Sequence, residues 1–108
     1  MPSPSKQKGN RFEREIVNKA IQSGLTAKRA WGSNGAALGM HEEVDLVIGK
    51  DPEIKIQAKC RKSIASYLIP TEHVDAVICK QDRGEILIIL RLEDWLENQF
   101  ITRMTEER

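Results

Sequence analysis

The feature of this sequence that most restricts its fold is a regular two-residue alternation over residues 53–60 (EIKIQAKC). The even positions are apolar or small and share one face of a β-strand, whereas the odd positions are charged or amide residues on the other face. The preceding segment 43–48 (EVDLVI) is also rich in apolar, β-branched residues, and 49–52 (GKDP) has the composition of a turn. Together they predict a β-hairpin with one face in the core.

Further elements follow from the same kind of pattern. Apolar residues at helical spacing predict a helix over 10–23, which Gly24 ends. The other predicted elements are strands at 25–31, 74–79 and 85–91, a loop at 32–40, a short helix at 63–68 and an amphipathic helix at 92–100. This order predicts an α/β domain with a central mixed sheet of five strands flanked by helices. The apolar run 86–90 is expected to belong to the core, with a dimer interface that also includes Trp95 and Phe100 as the alternative.

The chain of 108 residues has the size of one domain. Residues 1–8 (MPSPSKQK) predict a disordered basic arm, residues 9–100 the folded domain, and residues 101–108 a loose tail. The run at 86–90 is far shorter than the roughly 20 apolar residues of a membrane span. We therefore expect no membrane span and a cytoplasmic protein.

The sequence contains few cysteines and histidines, which argues against disulfide frameworks and against metal sites built from these residues. Cys60 and Cys79 are too few for a disulfide framework and form no C-x-x-C pair for zinc. His41 and His73 lie far apart in the sequence, which argues against a histidine-based metal site.

Charge is unevenly distributed along the chain, although the net charge is only +1. Residues 1–35 contain seven basic and two acidic side chains, whereas residues 92–108 contain two basic and five acidic ones. A basic end on a nearly neutral protein is typical of a surface that binds nucleic-acid phosphates. An ordinary solvated helix preceded by a basic leader explains the same distribution.

Asp45 is the one charged residue within the apolar run 44–48. Burying an acid among apolar residues is costly unless it has a partner. The predicted hairpin brings Asp45 onto the strand beside Gln57 and Lys59, which project together from the second strand. A metal-binding cluster is one interpretation. An Asp45–Lys59 salt bridge at the sheet edge is the other.

Glu13 lies near the middle of the apolar arc of the first predicted helix. A carboxylate on an inward helix face requires a metal, a base or a pocket. Alternatively, Glu13 lies in the first helical turn, where it remains hydrated and interacts favourably with the helix dipole. Two carboxylates, a lysine and an amide oxygen together suit phosphodiester hydrolysis, because Mg²⁺ prefers oxygen ligands and polarises phosphodiesters.

Four short motifs resemble the PD-(D/E)XK nuclease superfamily, and within it the archaeal-type Holliday junction resolvases. They are residues 8–15 (KGNRFERE) for K-G-x-x-x-E-R-E, 29–33 (RAWGS) for R-x-x-G-S, 44–47 for V-D-L-V, and 56–59 (IQAK) for (I/V)-E-(V/A)-K. Each motif is weak alone, but their shared order and spacing are fairly specific. The resemblance covers about residues 8–61 and implies a restriction-endonuclease-like fold.

The resemblance also implies roles for individual residues. The candidate catalytic residues are Glu13, Asp45, Gln57 and Lys59. The candidate ligands of Mg²⁺, with Mn²⁺ as a substitute, are Glu13, Asp45, Gln57 and the carbonyl of Ala58. The candidate DNA contacts, including those that the basic charge suggests, are Lys8, Arg11, Arg14, Arg29 and Ser33.

The sequence departs from the resolvase pattern in two places. Gln57 stands where that family has Glu, which removes one negative charge, although the Mrr-like branch of the superfamily has a similar Q-x-K motif. The segment 34–42 (NGAALGMHE) is longer than in the archaeal resolvases. These departures bear on substrate specificity more than on the nuclease fold.

Three functions are compatible with these observations. The leading hypothesis is a Mg²⁺-dependent, structure-selective DNA endonuclease, a Holliday junction resolvase that cuts four-way junctions as a homodimer. The second is a restriction-type or nicking nuclease, although the chain leaves little room for a recognition module. The third is a non-catalytic nucleic-acid-binding protein with a decayed site, for which Gln57 is the main support.

Overall fold

The computed structural model describes residues 3–30 and 35–106. Their helices and strands are, in chain order, α1 (Pro4–Gln22), β1 (Ala27–Arg29), β2 (Leu46–Ile48), β3 (Ile54–Ile56), β4 (Ala76–Lys80), β5 (Ile86–Leu90) and α2 (Leu92–Glu106). Two 3₁₀ turns add Gly35–Leu38 and Ser66–Leu68. Two compact units divide the chain after Cys60. The domain bounds 9–100 remain a prediction.

The five predicted strands are present, but they form two sheets in the described part of the chain. β1, β2 and β3 make one antiparallel sheet in that order, and β4 and β5 make a separate antiparallel hairpin. The single mixed five-stranded sheet is therefore not confirmed. A mixed sheet needs parallel pairing between strands that are distant in sequence, which alternation patterns do not determine.

Helix α1 begins at Pro4, so the expectation of a disordered arm is wrong for residues 4–8. Ser3 is the N-cap, and its Oγ accepts a hydrogen bond from the Lys6 N–H at 3.2 Å. Proline is favoured at the first helical position because its missing N–H has no partner there in any helix. Gly24, with a φ of 91°, follows the helix in the left-handed conformation that glycine adopts readily.

Helix α2 continues to Glu106, so residues 101–106 are helical rather than loose as expected. Glu93 and Asp94 lie in its first turn and Arg103 in its last, which complements the helix dipole at both ends. No helix of ranges 3–30 and 35–106 has the length and apolarity needed to cross a membrane. The cytoplasmic location remains a prediction.

The core of the first unit lies between α1 and its three-stranded sheet. Ile16 and Ala20 are buried on α1, and all three residues of β2 are buried. The central position of β2 explains its continuous apolar sequence, because both of its edges are paired and both of its faces are covered.

The second unit is built on the β4–β5 hairpin. The Arg91 guanidinium donates hydrogen bonds to the carbonyl oxygens of Thr71 (2.7 Å) and Val74 (3.2 Å), which fixes the loop in front of β4. The strand residues 86–88 are not core as expected: Ile86, Leu87 and Ile88 are 54–69% exposed.

A glycine pair tests the close packing of the turn that precedes β2. A Cβ on Gly35 would overlap the carbonyl oxygen of His41, so we expect Gly35→Ala to lower the free energy of unfolding by about 1–3 kcal/mol. Urea denaturation measures this change. As the control, Gly9→Ala places a methyl group where no atom lies within 4 Å in α1, and should raise stability by about 0.5–1 kcal/mol. Equal effects of the two substitutions would contradict the packing of Gly35.

Candidate active site

The pairing of β2 with β3 places Asp45 across from Gln57. Leu46 is the register partner of Ile56, and the Asp45 N–H donates to the Ile56 carbonyl at 2.9 Å. On the other side, the Ala30 N–H donates to the Asp45 carbonyl at 2.8 Å. The backbone of Asp45 is therefore held between two neighbouring chain segments, as the hairpin prediction requires.

The Asp45 carboxylate is half-buried and points to the residues that follow β3. Its Oδ2 accepts a hydrogen bond from the Ala58 N–H at 2.8 Å. Within ranges 3–30 and 35–106, Asp45 and Lys59 form no ion pair, so the alternative of a sheet-edge salt bridge between them is not supported. The carboxylate is instead held against the backbone of the segment 57–59.

The alternation predicted for residues 53–60 is confirmed by burial, although the strand pairing itself ends at Ile56. Gln57 and Lys59 are exposed, whereas Ala58 between them is half-buried. The side chains of Gln57 and Lys59 make no hydrogen bond or ion pair with any described residue. Both groups are accessible to a ligand beside the Asp45 carboxylate.

Glu13 is buried, with 4% of its surface exposed, and lies in the middle of α1 rather than in its first turn. Its Oε1 accepts a hydrogen bond from Arg29 Nε at 3.2 Å, and Arg29 Nη2 lies 3.2 Å from the same oxygen. The inward orientation predicted for Glu13 is confirmed. Its partner in the structure is a guanidinium from β1.

Arg29 was expected along the DNA, but its side chain is only 25% exposed and bridges β1 to α1. Besides Glu13, its Nη2 donates to Asn10 Oδ1 at 3.1 Å. Sequence reasoning missed Asn10, although its position three residues before Glu13 puts both side chains on one helix face. Because Arg29 is the register partner of Leu46, this ion pair holds α1 against the strand pair that positions Asp45.

The remaining predicted DNA contacts fall in two places. Lys8, Arg11 and Arg14 are exposed on α1, spaced three residues apart along the helix. Ser33 lies outside the described residues. An exposed basic ridge of this kind suits phosphate contacts.

The donor atoms near Asp45 fit a hard divalent cation. The Asp45 carboxylate, the Ala58 carbonyl and the Gln57 amide oxygen are all oxygen donors, which Mg²⁺ prefers. No three His, Cys, Asp or Glu side chains converge to form a metal site in the described part of the chain. A site at Asp45 would therefore combine one carboxylate with amide and main-chain oxygens.

A family model matches almost the whole chain. The family described as archaeal Holliday junction resolvase (Hjc) matches residues 4–107. The chain belongs to this family. No curated protein and no solved structure gives a significant match.

Membership in the Hjc family confirms the resemblance to the PD-(D/E)XK nuclease superfamily and extends it over almost the whole chain. It also confirms the fold class, an α/β restriction-endonuclease-like domain, here with five antiparallel strands in two sheets. The family implies a nuclease of the Holliday junction resolvase type, which functions in DNA recombination and repair.

The Glu13–Arg29 ion pair gives a stability prediction. Arg29→Ala removes the guanidinium from a buried carboxylate, so we expect the free energy of unfolding to fall by about 2–4 kcal/mol. Arg14→Ala, which removes an exposed arginine from the same helix, should change stability by less than about 0.5 kcal/mol. Urea denaturation of both variants provides the comparison. A loss for Arg29→Ala no larger than that for Arg14→Ala would contradict a structural role for the pair.

Proposed function

We propose that this chain is a Mg²⁺-dependent endonuclease that recognises four-way DNA junctions by their structure and resolves them as a homodimer. The observation that carries the proposal is the hydrogen bond from the Ala58 N–H to the Asp45 carboxylate. It positions one carboxylate beside a segment whose flanking side chains, Gln57 and Lys59, are both exposed. This arrangement occurs in a member of a resolvase family.

In this proposal, Asp45, Gln57 and the Ala58 carbonyl hold the cation. When bound, Mg²⁺ supplies Lewis-acid polarisation of the scissile phosphodiester. Hydrolysis joins the oxygen of a water molecule to phosphorus and breaks one ester P–O bond. The Lys59 ammonium stabilises the negative charge that accumulates on the phosphate oxygens, because it is exposed and forms no ion pair with the described residues.

Glu13 has a positioning role in this proposal, because its partner Arg29 joins α1 to the strands that hold Asp45. Its Oε1 is engaged by Arg29, so the charge of the carboxylate is already partly balanced. Gln57 contributes an oxygen without charge, and the site would therefore hold Mg²⁺ less tightly than one with a second free carboxylate. We therefore expect half-maximal cleavage to require a higher Mg²⁺ concentration than it would in a site with a second free carboxylate.

The DNA-binding surface in this proposal is the exposed side of α1. Lys8, Arg11 and Arg14 follow one another at helical spacing and face solvent. Phosphate contacts orient a duplex arm without reading its sequence, which suits recognition by shape. Arg29 contributes mainly through Glu13 and Asn10 rather than through DNA.

The homodimer is supported by an apolar surface on the β4–β5 hairpin. Ile78 and Ile88 are register partners, and Ile86 lies two residues before Ile88 on the same face. These three side chains are 59–69% exposed. Contiguous exposed apolar surface is typical of protein interfaces, and two-fold dimers are the commonest oligomers. We refer to these residues as the isoleucine face.

The role of Asp45 is tested by Asp45→Asn. Asparagine keeps an oxygen that accepts from the Ala58 N–H but removes the negative charge, so cleavage of a four-way junction in Mg²⁺ should fall at least about 100-fold. Junction binding should be unchanged or tighter, because repulsion of phosphates decreases. Cleavage rates are followed on denaturing gels, and binding by fluorescence anisotropy.

The control is Asp82→Asn, which removes an exposed carboxylate from the turn between β4 and β5 and should cleave at the wild-type rate. Near-wild-type cleavage by Asp45→Asn would contradict the assignment of the site. Linear duplexes with the sequences of the junction arms should be cut much more slowly than the junction. Preferential cleavage of one duplex sequence would support a restriction-type nuclease. Absence of cleavage by the wild type would support a non-catalytic protein.

The role of Gln57 is tested by two substitutions and a Mg²⁺ titration. Gln57→Ala should lose most of the activity, because the amide oxygen that orients the cation or its water is removed. Gln57→Glu restores the charge found elsewhere in the family and should lower the Mg²⁺ concentration for half-maximal cleavage. Glu53→Gln, at an exposed position on the same side of the hairpin, should leave that concentration unchanged. Wild-type cleavage by Gln57→Ala throughout the titration would show that Gln57 is not part of the site.

The dimer is tested by placing a charge in the isoleucine face. Ile88→Lys should convert a dimer into a monomer in sedimentation velocity experiments, because a two-fold interface brings each substituted residue close to its copy. Ile101→Lys introduces the same change at a 53% exposed position on α2 and should leave the dimer intact. A wild-type protein that remains monomeric at high micromolar concentration would contradict the homodimer.

A further inference from the structure

An open cavity of about 300 Å³ adjoins the candidate active site within the first unit. Its lining residues are His41, Glu43, Val44, Lys55, Ile56 and Gln57. Gln57 is common to the cavity and to the proposed cation site, where it lies across from Asp45. The cavity volume is at the small end of the range of protein ligand sites.

The cavity brings together residues that are distant in sequence. His41 and Glu43 precede β2, whereas Lys55, Ile56 and Gln57 belong to β3 or follow it. The cavity is therefore a concave surface formed by two chain segments beside the proposed cation site.

The cavity has an apolar floor and a polar rim of balanced charge. Val44 is only 7% exposed and Ile56 is half-buried, whereas His41, Glu43, Lys55 and Gln57 are exposed. The rim contains one cationic side chain, Lys55, and one anionic side chain, Glu43. A phosphate group would be repelled by Glu43 and would gain nothing from the apolar floor, so the lining favours a flat, uncharged, polar-edged ligand.

The imidazole of His41 is oriented by the chain around it. Its Nδ1 accepts a hydrogen bond from the Glu43 N–H at 3.1 Å, and the Val44 N–H donates to the His41 carbonyl at 3.0 Å. When Nδ1 of a neutral imidazole accepts, the ring proton is on Nε2, which is then a donor. The rim therefore offers a hydrogen-bond donor at His41 and a hydrogen-bond acceptor at Glu43. The side-chain amide of Gln57 offers one group of each kind.

We propose that this cavity receives an unpaired nucleobase of the DNA strand, adjacent to the phosphodiester that is cut. Carboxylate and amide groups form hydrogen bonds with base edges, and an imidazole ring offers a surface for stacking. The proposal rests on the proposed nuclease function and assigns to the same site a preference for branched DNA in which a base at the branch point is unstacked. Extrusion of a base is least unfavourable where it is already unpaired.

The experiment is a variant-by-substrate comparison of binding, made without divalent cations so that no DNA is cut. Dissociation constants are measured by fluorescence anisotropy for four-way junctions that carry either an intact nucleotide or an abasic site next to the branch point. The wild type should lose about tenfold in affinity on the abasic junction, which is within the range of base-stacking contributions. His41→Ala and Glu43→Ala should bind the intact junction more weakly and show little further loss on the abasic one.

The matched control is Glu42→Ala, which removes the same charge from an exposed position one residue away from Glu43 and outside the cavity lining. It should retain the wild-type loss on abasic junctions. Because His41 and Glu43 are exposed, thermal melts of the variants should coincide with that of the wild type. Glu43→Gln, which keeps the size of the side chain and removes its charge, provides a second variant at the same position.

Equal sensitivity of His41→Ala, Glu43→Ala and the wild type to the abasic site would overturn the proposal. A second pattern would also overturn the proposal: tighter binding of both junctions by Glu43→Ala, together with a shallower salt dependence of junction binding by Lys55→Ala. That pattern would indicate that the cavity holds a phosphate group rather than a base. The proposed recognition of junctions has its own readout when a linear duplex is added to these binding measurements, namely the preference of the wild type for junction over linear duplex. If that preference is present and the abasic effect is the same in all variants, only the nucleobase pocket is wrong. If the preference is absent, both proposals fail.

Discussion

The candidate site depends on one hydrogen bond, from the Ala58 N–H to the carboxylate of Asp45. It forms where β3 has already left its regular pairing with β2, so the side chain of Asp45 takes the place of the next backbone acceptor. The bond holds the segment 57–59 beside the carboxylate and leaves Gln57 and Lys59 exposed on either side of Ala58. A half-buried acid that would be unfavourable in an apolar strand is thereby given both a partner and a position.

Glu13, the other candidate acid, has a different environment. The Arg29 guanidinium balances the charge of the Glu13 carboxylate and also donates a hydrogen bond to Asn10. These three polar side chains join α1 to β1. Removal of either partner of such a buried pair leaves an uncompensated charge, which is strongly destabilising. The consequence of the pair for function is that α1, which carries the exposed basic ridge, is fixed relative to the strands that hold Asp45.

The hairpin and the inward orientation of Glu13 were predictable because both follow from local periodicity, two residues for the strand and 3.6 for the helix. Its partner Arg29 was not, since the contact spans 16 residues in sequence and depends on how β1 packs on α1. The start of α1 was missed although Ser3 and Pro4 are a typical helix beginning, because a Pro- and Ser-rich composition also suits disorder. The exposure of Ile86 and Ile88 was not predictable either, as an apolar strand looks the same in a core and in an interface.

The most direct test of the cation site is a titration of the ¹⁵N-labelled protein with Mn²⁺, which broadens the amide signals of nearby residues. We expect the signals of Asp45, Gln57, Ala58 and Lys59 to broaden first in the wild type, and Asp45→Asn to abolish this effect at the same Mn²⁺ concentration. Excess Mg²⁺ should restore the wild-type signals by competition. Broadening centred on other acidic residues, or broadening of these four signals that persists in Asp45→Asn, would contradict the account.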